Sequence, residues 1–203
     1  MKKNKISKNW LNKQKRDIYV RQSKVDGYRA RSAYKLIEIN EKFKVFKGGI
    51  SVLDIGAAPG SWSQYASKIV KNGKIISLDL KEMENIDNTI QIKGDFTDLD
   101  IQNKIKNLLT KGLDVVMSDM AVNTTGIKNI DSIQTGELCK EAMNFSKEVI
   151  SPNGFFISKI FMGGPFNEIV ALGKKIFKEV KVFKPQSSRK YSKESFIICK
   201  KIR

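Results

Sequence analysis

Two patterns of apolar and polar positions follow one another along most of this chain. Short apolar runs, typical of buried strands, are separated by segments in which apolar residues recur every three or four positions, as they do in helices. The predicted strands are ISVLDIG, KIISLDL, TIQIKGD, LDVVMSD, GFFISKIF, EVKVFKP and SFIICKK. Because strands and helices alternate, we predict an α/β fold with a mostly parallel sheet and helices on both faces.

One helical segment precedes the first strand, and four others lie between strands. They are RSAYKLIEINEKFKVF, SWSQYASKIVK, LDIQNKIKNLLTK, IQTGELCKEAMNFSKEVI and NEIVALGKKIF, and the fourth is expected to end at the Ser-Pro-Asn-Gly of residues 151–154. The last two strands are joined by QSSRKYSKE, which is too short for a crossover helix, so they should pair antiparallel. The prediction is a seven-stranded sheet with one antiparallel strand near the C-terminus.

Positive charge is concentrated at the N-terminus. The net charge is +17, and residues 1–35 hold 12 lysines and arginines against Asp17 and Asp26, a net +10. A focus of this kind indicates a polyanionic partner, nucleic acid rather than membrane, although residues 1–15 could also be a solvated tail. We therefore divide the chain into a basic nucleic-acid-binding extension, residues 1–30, and a catalytic domain, residues 31–203.

Composition excludes several classes of site. The chain has no histidine and two cysteines, which excludes Ser-His-Asp and Cys-His catalysis and imidazole metal sites, and we expect no metal. Acid–base chemistry must then use Lys, Asp, Glu, Tyr or Cys. No apolar run reaches the roughly 20 residues of a membrane-spanning helix, so we expect no membrane partner.

The loop DIGAAPGSW follows the first predicted strand, where ligands bind in parallel sheets. It lacks the G-x-G-x-x-G spacing, and Pro59 removes a backbone donor, which argues against a pyrophosphate and for a ligand with a carboxylate and a ribose. Asp79 ends the second strand, where it could bond ribose hydroxyls, and Asp95 could accept from an adenine amino group. A tight turn that needs only small residues is the alternative for the loop alone.

Several segments together resemble the FtsJ-type RNA ribose 2′-O-methyltransferases. They are VLDIGAAPGSWSQY, GDF, VVMSDMAVNTTG, ISKIF and KPQSSRKYSKESFIICKK, and the similarity runs from about Tyr19 to the C-terminus. The resemblance implies a Rossmann-like methyltransferase fold and S-adenosylmethionine as methyl donor. It also implies a ribose acceptor, that of a uridine, in large-subunit ribosomal RNA.

The family's active site is a Lys-Asp-Lys-Glu tetrad, which the resemblance places at Lys35, Asp119, Lys159 and Glu194. A ribose hydroxyl is a weak nucleophile and a sulfonium methyl is already electrophilic, so the enzyme must align the two and accept a proton. We expect Lys159 to accept it, since strand-end burial and the neighbouring Lys35 both favour a neutral amine. The implied donor-binding residues are Gly56, Gly60, Trp62, Asp79, Asp95 and Asp119.

Two positions depart from the family pattern. Val122 stands where the family usually has proline, and Met162-Gly163 replaces a Gln-Gly pair.

Trp62 has a simpler alternative interpretation: its side chain packs in the core, and only its backbone reaches the donor.

Basic residues on either side of the tetrad are expected to position RNA through its phosphates. They are Lys24, Arg29, Arg31, Arg189, Lys190 and Lys193. Tyr28 or Tyr191 could stack on exposed bases.

Other functions remain open. Within the family, the substrate could be a tRNA or an mRNA cap; outside it, a nicotinamide oxidoreductase or a non-catalytic RNA-binding protein would share parts of the pattern. The expected partner is ribosomal RNA or the large ribosomal subunit, bound by a monomer. The expected compartment is the cytoplasm, or a mitochondrion or plastid if the N-terminus is a trimmed import sequence.

Overall fold

A seven-stranded sheet with helices on both faces forms the molecule. The computed structural model describes residues 17–121 and 128–203. The strands are β1 (Ser51–Ile55), β2 (Lys74–Asp79), β3 (Thr89–Lys93), β4 (Leu113–Ser118), β5 (Ile150–Phe161), β6 (Phe177–Phe183) and β7 (Glu194–Ile202). The helices are α1 (Ile18–Val25), α2 (Ala33–Phe43), α3 (Ser61–Ile69), α4 (Leu99–Leu108), α5 (Lys128–Val149) and α6 (Phe166–Ile176).

The strand order is β3-β2-β1-β4-β5-β7-β6. Strands β1 to β5 pair in parallel, and β7 lies antiparallel between β5 and β6. This confirms the predicted fold class, including the antiparallel strand near the C-terminus. In a parallel sheet the carboxyl ends of the strands share one edge, and β7 brings its first residue to that same edge because it runs the opposite way.

Each face of the sheet is covered by its own helices and hydrophobic core. One core contains Ile105 of α4, Phe145 of α5 and Ile169 of α6, together with both cysteines. The other contains Leu36 of α2 and Trp62 of α3. All five residues of β1 are buried, as expected for a strand covered on both sides.

Helix α1 was not predicted from the sequence. Its N-cap is Asp17, whose carboxylate accepts a hydrogen bond from the backbone N–H of Tyr19. The Tyr19 ring packs against Tyr34 of α2 with ring centroids 5.3 Å apart, and Arg31 contacts both Asp17 and the carbonyl oxygen of Ser187. Residues 17–31 therefore pack against the sheet domain, while a division at residue 30 stays a prediction.

Two other boundaries differ from the prediction. Helix α5 begins at Lys128 rather than near Ile133. Residues 151–154 lie inside β5, where Ile150 pairs with Leu113 and Phe155 with Val115, so the strand begins with an irregularity instead of a separate turn. Among the described residues, no helix has both the length and the apolar character needed to cross a membrane.

Candidate active site

Four ionisable side chains from separate elements meet at the carboxyl edge of the sheet. Asp119 directly follows β4, and Lys159 lies near the end of the neighbouring strand β5. Glu194 begins β7, opposite Phe161 of β5. Lys35 comes from α2, which packs across this end of the sheet. The predicted tetrad is thus brought together by residues distant in sequence.

The four side chains form a continuous chain of contacts. Lys159 Nζ donates to the carbonyl oxygen of Asp119 at 2.5 Å and lies 3.1 Å from its Oδ1. Lys35 Nζ lies 3.9 Å from Oδ2 of Asp119 and donates to Oε2 of Glu194 at 2.8 Å. The Lys159 side chain is only 8% exposed. Each carboxylate is therefore neutralised by an ammonium group within a largely buried site.

The electrostatics of the tetrad favour its charged forms at two positions. Burial favours a neutral Asp119, but Lys159 and Lys35 outweigh it and hold the pKa of this carboxyl below its usual value. Burial likewise opposes the charge on Lys35, yet Asp119 and Glu194 raise the pKa of its ammonium group. Lys35 therefore acts as a fixed positive charge between two carboxylates.

Residues outside the tetrad, which the sequence does not predict, hold Glu194 and the segment before β7 in place. The hydroxyl of Ser188 donates to Oε1 of Glu194 at 2.8 Å. The carboxylate of Glu38 accepts from the backbone N–H groups of Gln186 and Ser187 at 2.5 and 2.8 Å. These contacts join α2 to the segment before β7 across more than a hundred residues, and no local pattern in the sequence indicates them.

A cavity of about 470 Å³ opens beside Asp119 at the ends of β1, β2 and β4. Gly56, Asp79, Asp95 and Asp119, four of the residues expected to bind the donor, line it. Gly56 has φ of +75°, and a Cβ there would lie 2.4 Å from Cγ of Met120. Only glycine lets the loop after β1 pass this close to the segment after β4.

The two carboxylates at the far side of this cavity already organise its walls. Asp79 accepts from the backbone N–H groups of Ala58 and Lys81 at 2.8 and 2.9 Å. Asp95 accepts from the N–H and the hydroxyl of Thr97 at 2.9 and 2.8 Å. The bonds to Asp79 hold the loop after β1 against the end of β2, which shapes the cavity.

Gly60 and Trp62 lie next to this cavity rather than in its wall. Gly60 has φ of +105°, and a Cβ there would lie 2.7 Å from Nη1 of Arg29. The Trp62 side chain is buried against Phe196, and its indole N–H donates to the carbonyl oxygen of Ser32 at 2.9 Å. Contact between Trp62 and a donor, through its backbone, stays a prediction.

Comparison with known proteins shows the family of this chain. The model of the FtsJ-like methyltransferases matches residues 28–202. The chain belongs to the FtsJ-like methyltransferase family. It is 75% identical to the ribosomal RNA large subunit methyltransferase E of Pelagibacter ubique over the full length of both chains. It is 47% identical to the protein of the same name from Rickettsia rickettsii, over 95% of this chain and 88% of that one.

Solved structures agree with the fold. A Plasmodium falciparum protein named as a ribosomal RNA methyltransferase superposes with a TM-score of 0.76 at 32% identity, covering 86% of this chain and 98% of that one. Human methyltransferase-like protein 13, in complex with SAH, gives a TM-score of 0.57 at 15% identity, covering 84% and 78%. The latter likeness shows the shared methyltransferase fold alone.

The residues expected to bind RNA in this methyltransferase fall into two groups. The guanidinium group of Arg29 donates to the carbonyl oxygens of Pro59, Glu84 and Asn85, and Arg31 is held by Asp17 and Ser187. Each arginine therefore uses its guanidinium group to hold separate segments of the protein together, a structural role rather than an exposed phosphate contact.

The remaining predicted contacts are more accessible. Lys24, Lys190 and Lys193 are exposed, while Arg189 is partly exposed and lies 3.5 Å from Asp17. Tyr191 is 72% exposed, whereas Tyr28 packs edge-on against Tyr34. Val122, the departure after Asp119, lies outside the described residues.

Proposed function

We propose that this methyltransferase transfers a methyl group from S-adenosylmethionine to a ribose 2′-oxygen of large-subunit ribosomal RNA. The observation that carries the proposal is the Lys35-Glu194-Asp119-Lys159 cluster, which adjoins a cavity through Asp119 itself. One residue then faces both donor and acceptor. The names of the relatives from Pelagibacter and Rickettsia support ribosomal RNA as the substrate.

The donor fits the cavity beside Asp119. Gly56 allows close approach to the backbone, and Asp79 and Asp95 offer carboxylate acceptors for hydroxyl and amino groups. When bound, S-adenosylmethionine supplies an electrophilic methyl group. Asp119, at the other side of the cavity, orients Nζ of Lys159 toward the acceptor.

The tetrad aligns the ribose and handles its proton. Lys159, reacting as the neutral amine, reaches the ribose 2′-hydroxyl and accepts its proton as the oxygen takes the methyl group. The ammonium group formed in this way is neutralised by Asp119, 3.1 Å away. Lys35 and Glu194, joined at 2.8 Å, bond the neighbouring ribose oxygens and fix the sugar. Most of the acceleration comes from alignment, since the donor is already activated.

Ribosomal RNA reaches this site along a basic surface. Exposed Lys24, Lys190 and Lys193 contact phosphates, as the concentrated charge of the N-terminal segment suggests. We infer that the protein acts as a monomer in the bacterial cytoplasm. The bacterial origin of the Pelagibacter and Rickettsia relatives supports the compartment.

The test combines donor binding with mapping of the product. S-adenosylmethionine should raise the melting temperature by linkage, while NAD should not, which separates the methyltransferase from an oxidoreductase. The protein should then transfer labelled methyl to one ribose of large-subunit RNA, either free or in the subunit. Transfer to tRNA or capped mRNA instead would show that the substrate is that of another branch of the family. No transfer to any RNA would refute the proposal.

A further inference from the structure

A second cavity, of about 630 Å³, lies on the other side of the tetrad. Its walls are Ile133 of α5, Phe161 and Met162 at the end of β5, and the segment that contains Arg189, Tyr191 and Lys193. Its volume is within the range of small-molecule sites in proteins. None of the tetrad residues lines it, so it is distinct from the donor cavity.

The position of this cavity relative to the tetrad is fixed by two strands. Phe161 comes two residues after Lys159 on β5, a rise of roughly 7 Å. Lys193 directly precedes Glu194, and its carbonyl oxygen accepts from the N–H of Met162 at 2.9 Å. The floor of the cavity is therefore the continuation of the strand pair that carries Lys159 and Glu194.

The chemistry of the cavity matches a nucleobase joined to a phosphate backbone. Ile133, Met162 and Tyr191 are 50%, 44% and 72% exposed, which is unusual for large apolar side chains at one place. Arg189 and Lys193 add positive charge to the same walls. A flat ring between apolar and aromatic groups, with cations nearby for phosphates, is how single-stranded RNA is bound.

Two polar side chains of α5 could read the edge of a base. Asp131 and Ser132 both line the cavity. The hydroxyl of Ser132 is buried and has no hydrogen-bond partner within residues 17–121 and 128–203. A buried hydroxyl normally has a partner, and a polar atom of a bound base would supply one.

We propose that this cavity holds the base of the nucleotide that is methylated, turned out of the RNA stack. The inference rests on the proposed function and adds where the acceptor base goes. A base seated here is one glycosidic bond from its ribose, which places the 2′-hydroxyl back toward Lys159. The RNA must be unstacked at this nucleotide, as it is for enzymes that act on single bases.

The first experiment couples the base to the cavity. In the mapped RNA, the target nucleotide is replaced by an abasic ribose that keeps its 2′-hydroxyl, and single-turnover transfer is measured at saturating donor. Base removal should slow the wild-type protein by about 5- to 100-fold, the range of one base–aromatic stack. In the variants Tyr191→Ala and Met162→Ala, base removal should slow transfer by less than about 3-fold, because the contact between the base and the substituted side chain is already lost.

Matched variants separate this role from a structural one. Tyr191→Phe keeps the ring and should retain the wild-type penalty for base removal. Ile90→Ala removes an exposed apolar side chain from the outer strand β3, away from the cavity, and should also retain it. If the penalty is equally large in Tyr191→Ala, or if it follows removal of a neighbouring base instead, the cavity does not hold the acceptor base.

A second experiment does not depend on catalysis. Large-subunit RNA containing 4-thiouridine is irradiated on the full-length protein, and the cross-linked peptides are identified. Cross-links in residues 161–164 or 189–193 from the nucleotide that is methylated are expected. Cross-links from this nucleotide that avoid both segments, with methyl transfer intact, would overturn the inference alone, whereas absent methyl transfer to any RNA would overturn the proposed reaction.

Discussion

At the scale of single residues, the tetrad works as one unit because each charged group is held by another. Asp119 touches Lys159 and Lys35, and Lys35 also bonds Glu194. Removing one member leaves its partner charged in a largely buried site, so the losses overlap. Single substitutions should therefore not add.

Lys159→Ala should reduce single-turnover methyl transfer by about 10²- to 10⁴-fold while leaving donor affinity nearly unchanged, since Lys159 serves the acceptor. Asp119→Ala should damage both transfer and donor binding, because Asp119 lines the donor cavity. Lys35→Ala and Glu194→Ala should be intermediate, and their double variant little worse than either. A near wild-type rate for Lys159→Ala would make it a structural lysine.

Asp54, on β1, is a buried acid that the reaction does not use. It is fully buried and accepts from the hydroxyl of Ser63 at 2.6 Å. Burial raises its pKa from 3.8 to about 7, with the Ser63 hydrogen bond opposing and the nearby Asp119 adding to the rise. The folded state thus binds a proton that the unfolded state has already released between these values.

The resulting pH dependence has a definite sign. Because the folded-state pKa is raised, the free energy of unfolding should fall as pH rises from about 4 to 7 on account of Asp54. Asp54→Asn removes this contribution. The free energy of unfolding of the variant, minus that of the wild type, should therefore increase as pH rises over that interval. Chemical denaturation at several pH values measures it, with Asp100→Asn on the exposed side of α4 as control. A difference that does not change with pH would show that Asp54 does not titrate there.

At the scale of elements, one arginine joins its own loop to two others beside the donor site. Arg29, between α1 and α2, donates to the carbonyl oxygen of Pro59 at 3.1 Å, of Glu84 at 2.9 Å and of Asn85 at 2.9 Å. Its main-chain N–H also donates to the side chain of Gln64 in α3. Arg29 therefore fixes the loop after β1 through contacts that lie outside the donor cavity.

Arg29→Ala should weaken donor binding by about tenfold and lower stability by about 1.5–3 kcal/mol, the usual contribution of hydrogen bonds to a charged group. Arg29→Lys should recover little, since an ammonium group cannot reach three carbonyls with a planar fork. Lys24→Ala, on exposed α1, should instead weaken RNA binding and spare the donor. Calorimetric donor titration and RNA binding separate the two, and loss of RNA affinity alone in Arg29→Ala would restore Arg29 as a phosphate contact.

The sequence predicts elements whose signal is local. The strands that end at Asp79, Asp119 and Lys159 are short apolar runs, and their parallel packing alone brings these side chains to one edge. Helix α1 is only eight residues long, and two of its four apolar residues, Ile18 and Val25, are exposed, so its hydrophobic pattern is weak, although Asp17 before Ile18 is a recognisable N-cap.

Contacts made across the chain have no local signal. The role of Arg29 depends on carbonyl groups 30 to 56 residues away. The start of β5 at Ile150 likewise depends on pairing with Leu113, which overrides the turn chemistry of residues 151–154. In both cases tertiary contacts, rather than the residues themselves, decide the structure.

At the scale of the whole molecule, charge is distributed unevenly along the chain. Residues 1–16 contain seven lysines and arginines and no acidic residue, while Asp17 is engaged by Arg31 and Arg189. Removing residues 1–16 therefore changes charge without removing the N-cap of α1. This boundary separates an electrostatic role of the N-terminus from its packing role.

The variant lacking residues 1–16 should keep the fold, the donor affinity and the single-turnover rate at saturating RNA. Its RNA affinity should fall, and its salt dependence should be shallower. Each lost phosphate contact removes about 0.7 from the slope of log affinity against log salt on single strands and about 0.9 on a B-form duplex. Titrations at several salt concentrations give the number of contacts directly.

Replacing Lys174 and Lys175 with glutamine is the matched control, because these exposed lysines end α6 at the edge of the sheet opposite the tetrad. The change lowers net charge away from the site, so the salt slope should stay close to that of the full-length protein. A decrease in the control that is about two-sevenths of that in the deletion, in proportion to the two and seven charges removed, would indicate attraction by overall charge rather than contacts. An unchanged slope on removing residues 1–16 would make them a solvated tail, and would leave Lys24, Lys190 and Lys193 as the phosphate contacts that carry RNA binding.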